Sequence, residues 1–436
     1  MNHPTWFRRV AAATILVTAL VPVLLYFWMF GRAPALSADA ALSLLNDPAQ
    51  NAVLVDVRPA AEFDAMRVTG SVNWPARDIA SGADLPAAFQ GKTLILICNS
   101  GLQSAQAARR LLDLGADSVF YARGGLQRWV GLTISRPGLR FTEFTRAGQA
   151  AAPYQFMPLF EQVAVVVSGF GFKPLHMILS AVIGFILLKQ KAFDLRTFGW
   201  GTLVFLAAEI FCAINYLVFN HDSYLAEYLH SYGMTLSFGI VTFALLHGLD
   251  ERLLKFSAPD KRCAFLPLCR DCVKYNQVSC KLRTLVQVGM VAMAILAFIP
   301  ILAQPQATSY ATQILGSEYH YCRLLLNQYF ETRYLPVLAL IFSIAALLVL
   351  QRDKSNPAPL LARVFIAGAL GAFGFSLFRL TLGSVFSQAL IWADFWEEAT
   401  ELMFVALSAI VLWVYRDGLL DVGIHQIIAQ RGAEHR

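Results

Sequence analysis

The chain has 436 residues, of which 57% are hydrophobic and only 15% are charged, with a formal net charge of +6. A mean hydropathy of +0.54 excludes an ordinary soluble protein. The basic residues are spread over short segments and do not alternate with aromatic residues, so we expect no nucleic-acid partner. Long apolar runs lie at the N-terminus and after residue 156, and they flank a stretch of soluble composition.

The first apolar run, VAAATILVTALVPVLLYFWMF at residues 10–30, is long enough to span a bilayer. The hydrophobic core of a cleaved signal peptide is shorter, about 7–15 residues. The run also ends in bulky aromatic residues, and no small-x-small cleavage motif precedes Gly31. These signals favour an uncleaved signal anchor over residues 1–32.

Residues 33–135 have the pattern of an α/β domain. LSADAALSLL begins with a serine cap and continues as a helix, and AQAARRLLDLG is a second helix that ends at Gly115. AVLVDV, TLILIC and SVFYA are typical of short buried strands. Strands that alternate with helices predict a mainly parallel sheet with flanking helices, which binds its ligands at the carboxyl ends of the strands.

Cys98 lies at the joint between one of these strands and the helix that follows, in LILICNSGLQSAQAARRLL. A structural thiol is expected inside an apolar run, whereas this one follows the run and precedes Gly101 by three residues. The N-terminus of a helix favours a thiolate, and its free amides bind anions. The sequence therefore predicts that Cys98 is a nucleophile.

The ordered motifs of this region resemble a single rhodanese (sulfurtransferase) domain over residues 35–135. The features that carry the resemblance are Asp56 and Arg58, Glu62-Phe63, the C-x-x-G-x-x-S loop of Cys98, Gly101 and Ser104, Gly115, Gly124-Gly125 and Trp129. The resemblance implies that Cys98 takes sulfur from a sulfane-sulfur donor as a persulfide and passes it to a thiol acceptor. It also implies a substrate-binding loop formed by Asn99, Ser100, Gly101, Leu102, Gln103 and Ser104, with Arg58.

Two departures from the family pattern concern charge. Gln103 stands where the family often has an arginine, and Met66–Gly70 replaces the usual Gly-His-Ile-Pro-Gly stretch. Arg58 and Arg67 are the alternative sources of positive charge. Persulfide and polysulfide are therefore as plausible as thiosulfate as sulfur donors. The alternative interpretation is a degenerate rhodanese domain that binds a partner and has no activity.

After a predicted linker at 136–155, residues 156–436 are predicted to form a helical membrane domain. With the anchor, the apolar runs give about eight transmembrane helices, the others at 172–188, 199–218, 229–247, 284–303, 334–350, 361–382 and 399–415. Residues 156–171 are apolar but interrupted by Glu161, which indicates an interfacial or re-entrant segment that does not span the bilayer.

Basic residues predict the orientation of these spans. The connections on one side carry most of the lysine and arginine residues, whereas those on the other side, outside the α/β domain, carry only Arg323 and Arg333. The positive-inside rule then places the N-terminus, the loop at 250–283 and the C-terminus in the cytoplasm. We expect a multi-pass protein of the inner (cytoplasmic) membrane whose α/β domain is extracytoplasmic, in the periplasm where the cell has two membranes.

Four cysteines, Cys263, Cys269, Cys272 and Cys280, lie close together in the inner loop. Disulfides are rare on a reducing face of the membrane, and four thiolates suit zinc or an iron–sulfur cluster. The central C-x-x-C is common in metal sites, but the outer spacings match no standard finger or ferredoxin pattern. A metal site is the prediction, with zinc and iron–sulfur both open, and free thiols or a redox pair are the alternatives.

Polar residues inside the spans are candidates for function because they are costly in lipid. His176 and His230 are candidate haem ligands, although hydrogen-bonded structural histidines are the preferred interpretation. Arg379 is expected to pair with an acid such as Glu209 or Glu401. The other acids near the start of the last span are Glu397 and Glu398, and with Glu401 they are predicted to lie at a solvated boundary beside aromatic residues.

Two functions follow. In the first, the protein is a membrane-bound sulfurtransferase whose outer domain forms a persulfide on Cys98 and passes the sulfur to a thiol acceptor or to the membrane domain. In the second, it is a transporter of a sulfur species or a transmembrane redox or sulfur sensor, and the α/β domain is a binding module. The lipid bilayer is a partner in both.

Overall fold

The computed structural model describes residues 5–29, 33–82, 84–146, 156–219, 223–256, 263, 280–303, 309–322, 330–353, 356–386 and 389–416. Helix α1 comes first, at Thr5–Met29. An α/β unit follows, and it continues into a helical membrane region. The predicted fold class, a parallel α/β domain joined to apolar helices, is confirmed.

The α/β unit contains a five-stranded sheet in the order β1-β6-β5-β2-β4, with every neighbouring pair parallel. Two further strands, β3 and β7, form a separate antiparallel pair. The elements are β1 (Ala35–Leu36), α2 (Ala38–Asn46), β2 (Ala52–Asp56), α3 (Ala60–Ala65), β3 (Met66–Val68), β4 (Val72–Asn73), α4 (Ala76–Ala80), β5 (Thr93–Ile97), α5 (Leu102–Asp113), β6 (Val119–Ala122), α6 (Gly125–Trp129), α7 (Leu132–Ser135) and β7 (Phe144–Arg146).

The central part of the sheet is buried on both faces because consecutive positions of its inner strands are apolar, as in the LILI run of β5. In β5, Leu94 and Leu96 pack into a core with residues of α4 and α5. Ile95 and Ile97 point to the opposite face and pack with residues of α2 and α6. A period of two along the strand thus divides one apolar run between two cores, as a parallel sheet covered on both sides requires.

The pairing of β3 with β7 extends the α/β unit to Arg146, into the stretch 136–155 that composition predicts as a linker. Phe141 and Phe144 in that stretch are buried against the domain. The indole Nε1 of Trp129 donates to the Phe141 carbonyl at 2.8 Å. These contacts make residues 141–146 part of the domain, and residues 147–155 lie outside the described part of the chain.

The membrane region consists of long apolar helices. Within the described residues, seven helical segments are long and apolar enough to cross a membrane, which is compatible with a multi-pass membrane protein: Thr5–Trp28, Leu159–Leu188, Phe193–Leu217, Tyr224–Leu254, Lys281–Leu302, Phe330–Arg352 and Leu360–Val385. The α-helices of this region are α8 (Leu159–Val167), α9 (Lys173–Leu188), α10 (Phe193–Leu217), α11 (Tyr224–Leu249), α12 (Lys281–Leu296), α13 (Phe298–Leu302), α14 (Leu335–Arg352), α15 (Leu360–Val385) and α16 (Leu390–Arg416). An antiparallel hairpin is formed by β8 (Ser309–Ile314) and β9 (Ser317–Cys322).

The expected span 399–415 lies within α16, a 27-residue helix that is not among the seven of the described part of the chain. One prediction about the spans needs correction. The expected interfacial segment 156–171 is instead continuous with the next span, because α8 runs through a π-helical turn, Ser168–Phe172, into α9. The turn keeps the backbone hydrogen-bonded, so no break in the helix is needed.

Glycines allow the membrane helices to approach closely. A Cβ atom on Gly371 of α15 would lie 2.8 Å from the backbone nitrogen of Gly239 in α11. A Cβ atom on Gly199 of α10 would lie 3.0 Å from the carbonyl oxygen of Gly184 in α9. Small residues at helix crossings are typical of membrane bundles, in which close van der Waals packing drives association.

The C-terminal end of α1 contacts both regions of the molecule. The Tyr26 ring stacks on Tyr224 at the start of α11, with centroids 3.6 Å apart. Tyr26 also packs against the α/β core beside Tyr121. The Arg109 guanidinium of α5 lies 5.9 Å from the Trp28 ring centroid and donates to the Trp28 carbonyl. Helix α1 therefore joins α5 of the domain to the membrane helices.

Candidate active site

Cys98 directly follows β5, and α5 begins at Leu102, as the strand–loop–helix prediction requires. The sulfur accepts the backbone N–H of Gly101 at 3.1 Å and that of Ser104 at 3.4 Å. The Ser104 hydroxyl lies 3.5 Å from the same sulfur. Cys98 is only 1% exposed, so these donors surround a sulfur that is withdrawn from solvent.

Gly101 aims its N–H at the sulfur because it has a left-handed conformation, with φ of +91°. It is also the N-cap of α5, so the turn that reverses the chain starts the helix at the same point. Only glycine adopts this conformation without strain. A Cβ atom here would also come within 3.0 Å of the Gly124 nitrogen.

A second backbone segment supports the loop from the opposite side. The N–H of Leu126 donates to the Cys98 carbonyl at 2.8 Å, and the N–H of Gln127 donates to the Asn99 carbonyl at 3.2 Å. A Cβ atom on Gly125 would lie only 2.1 Å from the Cys98 carbonyl oxygen. The glycine pair that the resemblance singles out thus lets the start of α6 touch the cysteine loop directly.

Arg58 holds the loop from a third side. Its guanidinium forms a buried ion pair with Asp56, with Nη2 and Oδ2 2.7 Å apart and exposures of 3% and 0%. Its Nη1 donates to the Asn99 Oδ1 at 3.4 Å, and the Asn99 Nδ2 donates to Glu62 Oε2 at 2.8 Å. The charge of Arg58 is therefore balanced by Asp56, and its contact with the loop positions Asn99.

Arg67 is the other candidate source of positive charge, and its guanidinium contacts an aromatic ring. The Arg67 guanidinium lies 5.1 Å from the Phe63 ring centroid, and Gln103 is an exposed side chain in the first turn of α5. Ser100 is buried and Leu102 is half-buried. Within the described contacts, the groups that donate to the sulfur are the two backbone amides, and the nearby Ser104 hydroxyl donates to the Gly101 carbonyl at 3.1 Å.

Comparison with known proteins agrees with this geometry. The family profile described as "Rhodanese-like domain" matches residues 37–132. Residues 37–132 form a rhodanese-like domain. The parallel sheet, the strand-to-helix cysteine loop and the glycine-supported backbone therefore belong to the fold that the sequence resembles, with only a few residues' difference from the expected 35–135.

Similar proteins share this relationship over part of their length. The chain is 31% identical over 110 residues to the tRNA uridine(34) hydroxylase of Bordetella petrii. The matched region covers 23% of this chain and 42% of that protein. The chain is 30% identical over 83 residues to the probable adenylyltransferase/sulfurtransferase MoeZ of Mycobacterium tuberculosis, covering 19% and 21%. A solved structure of a thiosulfate sulfurtransferase from Pseudomonas aeruginosa is 20% identical, covers 36% of this chain and 28% of that chain, and gives a TM-score of 0.21. The chain spans less than half the length of these curated relatives.

The inner cysteine loop is only partly described. Cys263 is buried, and Cys280 is the residue that directly precedes α12. Cys269 and Cys272 lie outside the described residues. The four-thiolate metal site therefore stays a prediction.

The intramembrane polar residues pair differently from the expectation. Arg379 lies 3.1 Å from Glu331 and also pairs with Glu397, whereas Glu209 and Glu401 were its expected partners. Glu397, Glu398 and Glu401 are 18%, 13% and 4% exposed, so the predicted solvated boundary is wrong. The start of α16 packs among α8, α9 and the π-helical turn between them, and it carries its acids into the bundle.

The two candidate histidines lie within hydrogen-bond distance of neighbouring groups. His230 Nδ1 lies 3.2 Å from the Ala208 carbonyl, and His176 Nε2 lies 2.9 Å from the Glu398 carboxylate. Glu331 and Lys173 are among the polar residues of the bundle that the sequence did not single out. Each lies at the start of a hydrophobic segment, where sequence alone does not distinguish a charge that faces solvent from one that faces the bundle.

Proposed function

We propose that the protein is a membrane-bound sulfurtransferase of the rhodanese type, with Cys98 as the residue that carries sulfur. The observation that supports this function is the convergence of two backbone N–H groups and the Ser104 hydroxyl on the Cys98 sulfur. A thiolate and a persulfide are both anions, and preorganised amides stabilise such charge inside a protein.

The transfer takes place in two displacements at sulfur. In the first, the Cys98 thiolate attacks the outer sulfur of the donor, forms the new S–S bond and releases the rest of the donor as a thiolate. In the second, the acceptor thiolate attacks the outer sulfur of the Cys98 persulfide and regenerates the Cys98 thiolate. Each step breaks and forms one bond to sulfur, so no external oxidant or reductant is needed.

The site favours a narrow donor with little charge on its leaving group. The sulfur is buried, and Arg58 is already neutralised by Asp56. A thiosulfate-like donor releases sulfite and needs a cation nearby, whereas a persulfide or polysulfide presents a linear chain of sulfur atoms. We therefore propose persulfide or polysulfide as the donor class and a thiol as the acceptor.

The decisive experiment follows sulfur onto one residue. Full-length protein in detergent is incubated with polysulfide, glutathione persulfide or thiosulfate, and the peptide that contains Cys98 is analysed by mass spectrometry. We expect a gain of one sulfur atom that Cys98→Ser abolishes and Cys280→Ser retains. An unmodified Cys98 with all three donors would contradict the enzymatic function and leave the domain as a binding module.

We further propose that the rhodanese-like domain lies outside the cytoplasm and that the protein resides in the inner membrane. The asymmetry of lysine and arginine residues between the two sets of connections supports this orientation. A reporter fused after Arg140 should be active only outside the cytoplasm, and one fused after Lys261 only inside. Activity of both fusions on one side would contradict the orientation.

The inner cysteine loop is proposed to bind one zinc ion or one iron–sulfur cluster. The support is its four closely spaced thiols among basic residues, since a metal holds thiolates ionised and nearby cations offset their charge. Replacing either cysteine of its central C-x-x-C, Cys269→Ser or Cys272→Ser, should release the metal from anaerobically purified protein. Metal-free protein with four freely alkylated thiols would contradict this site.

A further inference from the structure

Four buried metal-ligating side chains meet inside the membrane bundle. His176 is in α9, Glu209 is in α10, and Glu398 and Glu401 are one turn apart in α16. One donor atom from each of the four residues lies within 4.8 Å of the others. We refer to these four residues as the His–Glu cluster. It is separate from the Cys98 loop and from the inner cysteine loop.

Several polar atoms of the cluster lack hydrogen-bond partners. Among the described residues, Glu209 Oε1, Glu401 Oε2 and His176 Nδ1 are buried without one. Glu209 and His176 are 0% exposed, and Glu401 is 4% exposed. The nearest histidine nitrogens, His230 Nδ1 for Glu209 Oε1 and His176 Nε2 for Glu401 Oε2, both lie 3.6 Å away, beyond hydrogen-bond distance. Buried carboxylate oxygens are nearly always hydrogen-bonded or bound to a cation, so these two oxygens leave room for a bound cation.

The charge of the cluster also indicates a bound cation. Lys173 Nζ lies 2.7 Å from Glu209 Oε2 and 2.8 Å from Glu398 Oε1. The lysine thus balances one negative charge of the three carboxylates and occupies only one oxygen of each residue that it touches. The neighbouring histidines, His176 and His230, add positive charge only when they are protonated. A buried excess of negative charge in a membrane region is strongly unfavourable. A divalent cation would balance it.

The spacing of the donors suits a small metal ion. His176 Nε2 lies 2.9 Å from Glu398 Oε2 and 3.6 Å from Glu401 Oε2. With metal–ligand bonds of about 2.1 Å, neighbouring ligands of a tetrahedral site lie about 3.4 Å apart. These two separations bracket that value, and all four donor atoms lie within 4.8 Å of one another, which is compact enough for one small ion after local adjustment.

We propose that His176, Glu209, Glu398 and Glu401 bind one divalent first-row transition metal ion. Imidazole and carboxylate together suit zinc, manganese and ferrous iron better than the soft ions that prefer thiolates. Lys173 is then a positioning residue, because it holds the outer oxygens of Glu209 and Glu398 so that their other oxygens face the metal.

The test must separate this site from the inner cysteine loop. Full-length protein in which Cys263, Cys269, Cys272 and Cys280 are replaced by serine is purified in detergent, treated with a chelator and titrated with Mn²⁺. Free Mn²⁺ is followed by electron paramagnetic resonance, and zinc content is measured separately by mass spectrometry. We expect one saturable equivalent of metal.

Variants of the cluster residues test whether the bound metal ion belongs to the His–Glu cluster. Glu401→Gln and His176→Ala should each weaken Mn²⁺ binding at least tenfold. Glu397→Gln is the matched control, because Glu397 precedes Glu398 on the same helix but pairs with Arg379. The same variants are also made with the four cysteines intact, where each cluster variant should lose one equivalent of zinc relative to its parent.

Two results would overturn the metal site. One is a folded chain, shown by a cooperative melting transition, that binds neither Mn²⁺ nor zinc outside the cysteine loop; protons would then balance the carboxylates. The other is unchanged binding in both Glu401→Gln and His176→Ala. Neither result affects persulfide formation on Cys98, so the two proposals fail independently.

Discussion

The Cys98 loop and the His–Glu cluster stabilise charge in opposite ways. The loop presents backbone amides from one continuous segment to a sulfur, and Arg58, which contacts the loop at Asn99, is paired with Asp56. The cluster brings together ionisable side chains from the consecutive helices α9 and α10 and from α16, which is far from both in the sequence. The loop therefore depends on backbone geometry, whereas the cluster depends on the identity of each side chain.

The largest loss of stability and activity is expected at Gly125, where the backbone of the Cys98 loop leaves no space for a Cβ atom. Gly125→Ala places a Cβ atom 2.1 Å from the Cys98 carbonyl oxygen, so α6 must separate from the loop. We expect a loss of more than about 3 kcal/mol in unfolding free energy and no detectable persulfide. The measurements are chemical unfolding and mass spectrometry of the full-length protein.

Gly115→Ala provides the matched control for that change. Gly115 also has positive φ, +89°, but nothing lies within 4 Å of an added Cβ atom. Only backbone strain should remain, which is about 1 kcal/mol, and persulfide formation should persist. Equal losses of unfolding free energy in the two variants would show that backbone strain alone, and not contact with the loop, explains the need for glycine at position 125.

The next effect concerns the ion pair that positions Asn99. Asp56→Asn leaves the buried Arg58 guanidinium without its counter-charge, which should lower the unfolding free energy by about 3 kcal/mol. We also expect slower sulfur transfer, because Asn99 loses a fixed partner. Asp78→Asn is the control, since its pair with Arg77 is largely exposed and should be nearly silent. A stable Asp56→Asn protein would argue that Arg58 is not held by this pair.

A smaller effect should follow from adding a cation to the loop. Gln103 is exposed in the first turn of α5, so arginine fits there without repacking. Gln103→Arg should raise the rate with thiosulfate about tenfold, equivalent to about 1.4 kcal/mol, and leave the rate with polysulfide nearly unchanged. Stopped-flow assays with both donors measure the ratio, and Gln103→Met controls for the size of the side chain. An unchanged ratio of the thiosulfate rate to the polysulfide rate would mean that the backbone amides of the Cys98 loop alone determine which donor is preferred.

The smallest effect concerns the contact between the two regions. Tyr26→Leu removes the ring that stacks on Tyr224, an interaction worth about 1 kcal/mol. Phe27→Leu, at a neighbouring position that is 61% exposed, is the control. Thermal melting in detergent should show a lower midpoint for Tyr26→Leu alone. Identical midpoints would show that this stack does not hold the regions together.

The sequence predicted the α/β domain well because its signals are local. Apolar strands, the serine cap at Ser37 and the glycine three residues after Cys98 each act within a few residues. The side chain of Ser37 accepts the Ala40 N–H, as the cap predicts. The Cys98 loop is built from one such segment, so its position between strand and helix could be predicted directly.

The remaining features depend on distant pairing. β3 and β7 are three residues each, and their register joins Met66 to Arg146 across most of the domain. Glu331 approaches Arg379 from a separate helix. A single hydrophobic run shows how long a helix is but not which of its faces meets another charged helix, so the predicted partners of Arg379 and the predicted solvent boundary were wrong.

The contact between α5 and α1 limits how far the Cys98 sulfur can lie from the end of α1. Arg109 donates to the Trp28 carbonyl, and about 10 Å of helix separates Arg109 from Leu102, where α5 begins after the Cys98 loop. Under the proposed function and orientation, a sulfur carrier tethered in this way meets an acceptor thiol at the membrane surface at a high effective concentration. Sulfur delivery to membrane-bound thiols would then be favoured over delivery to dilute soluble thiols.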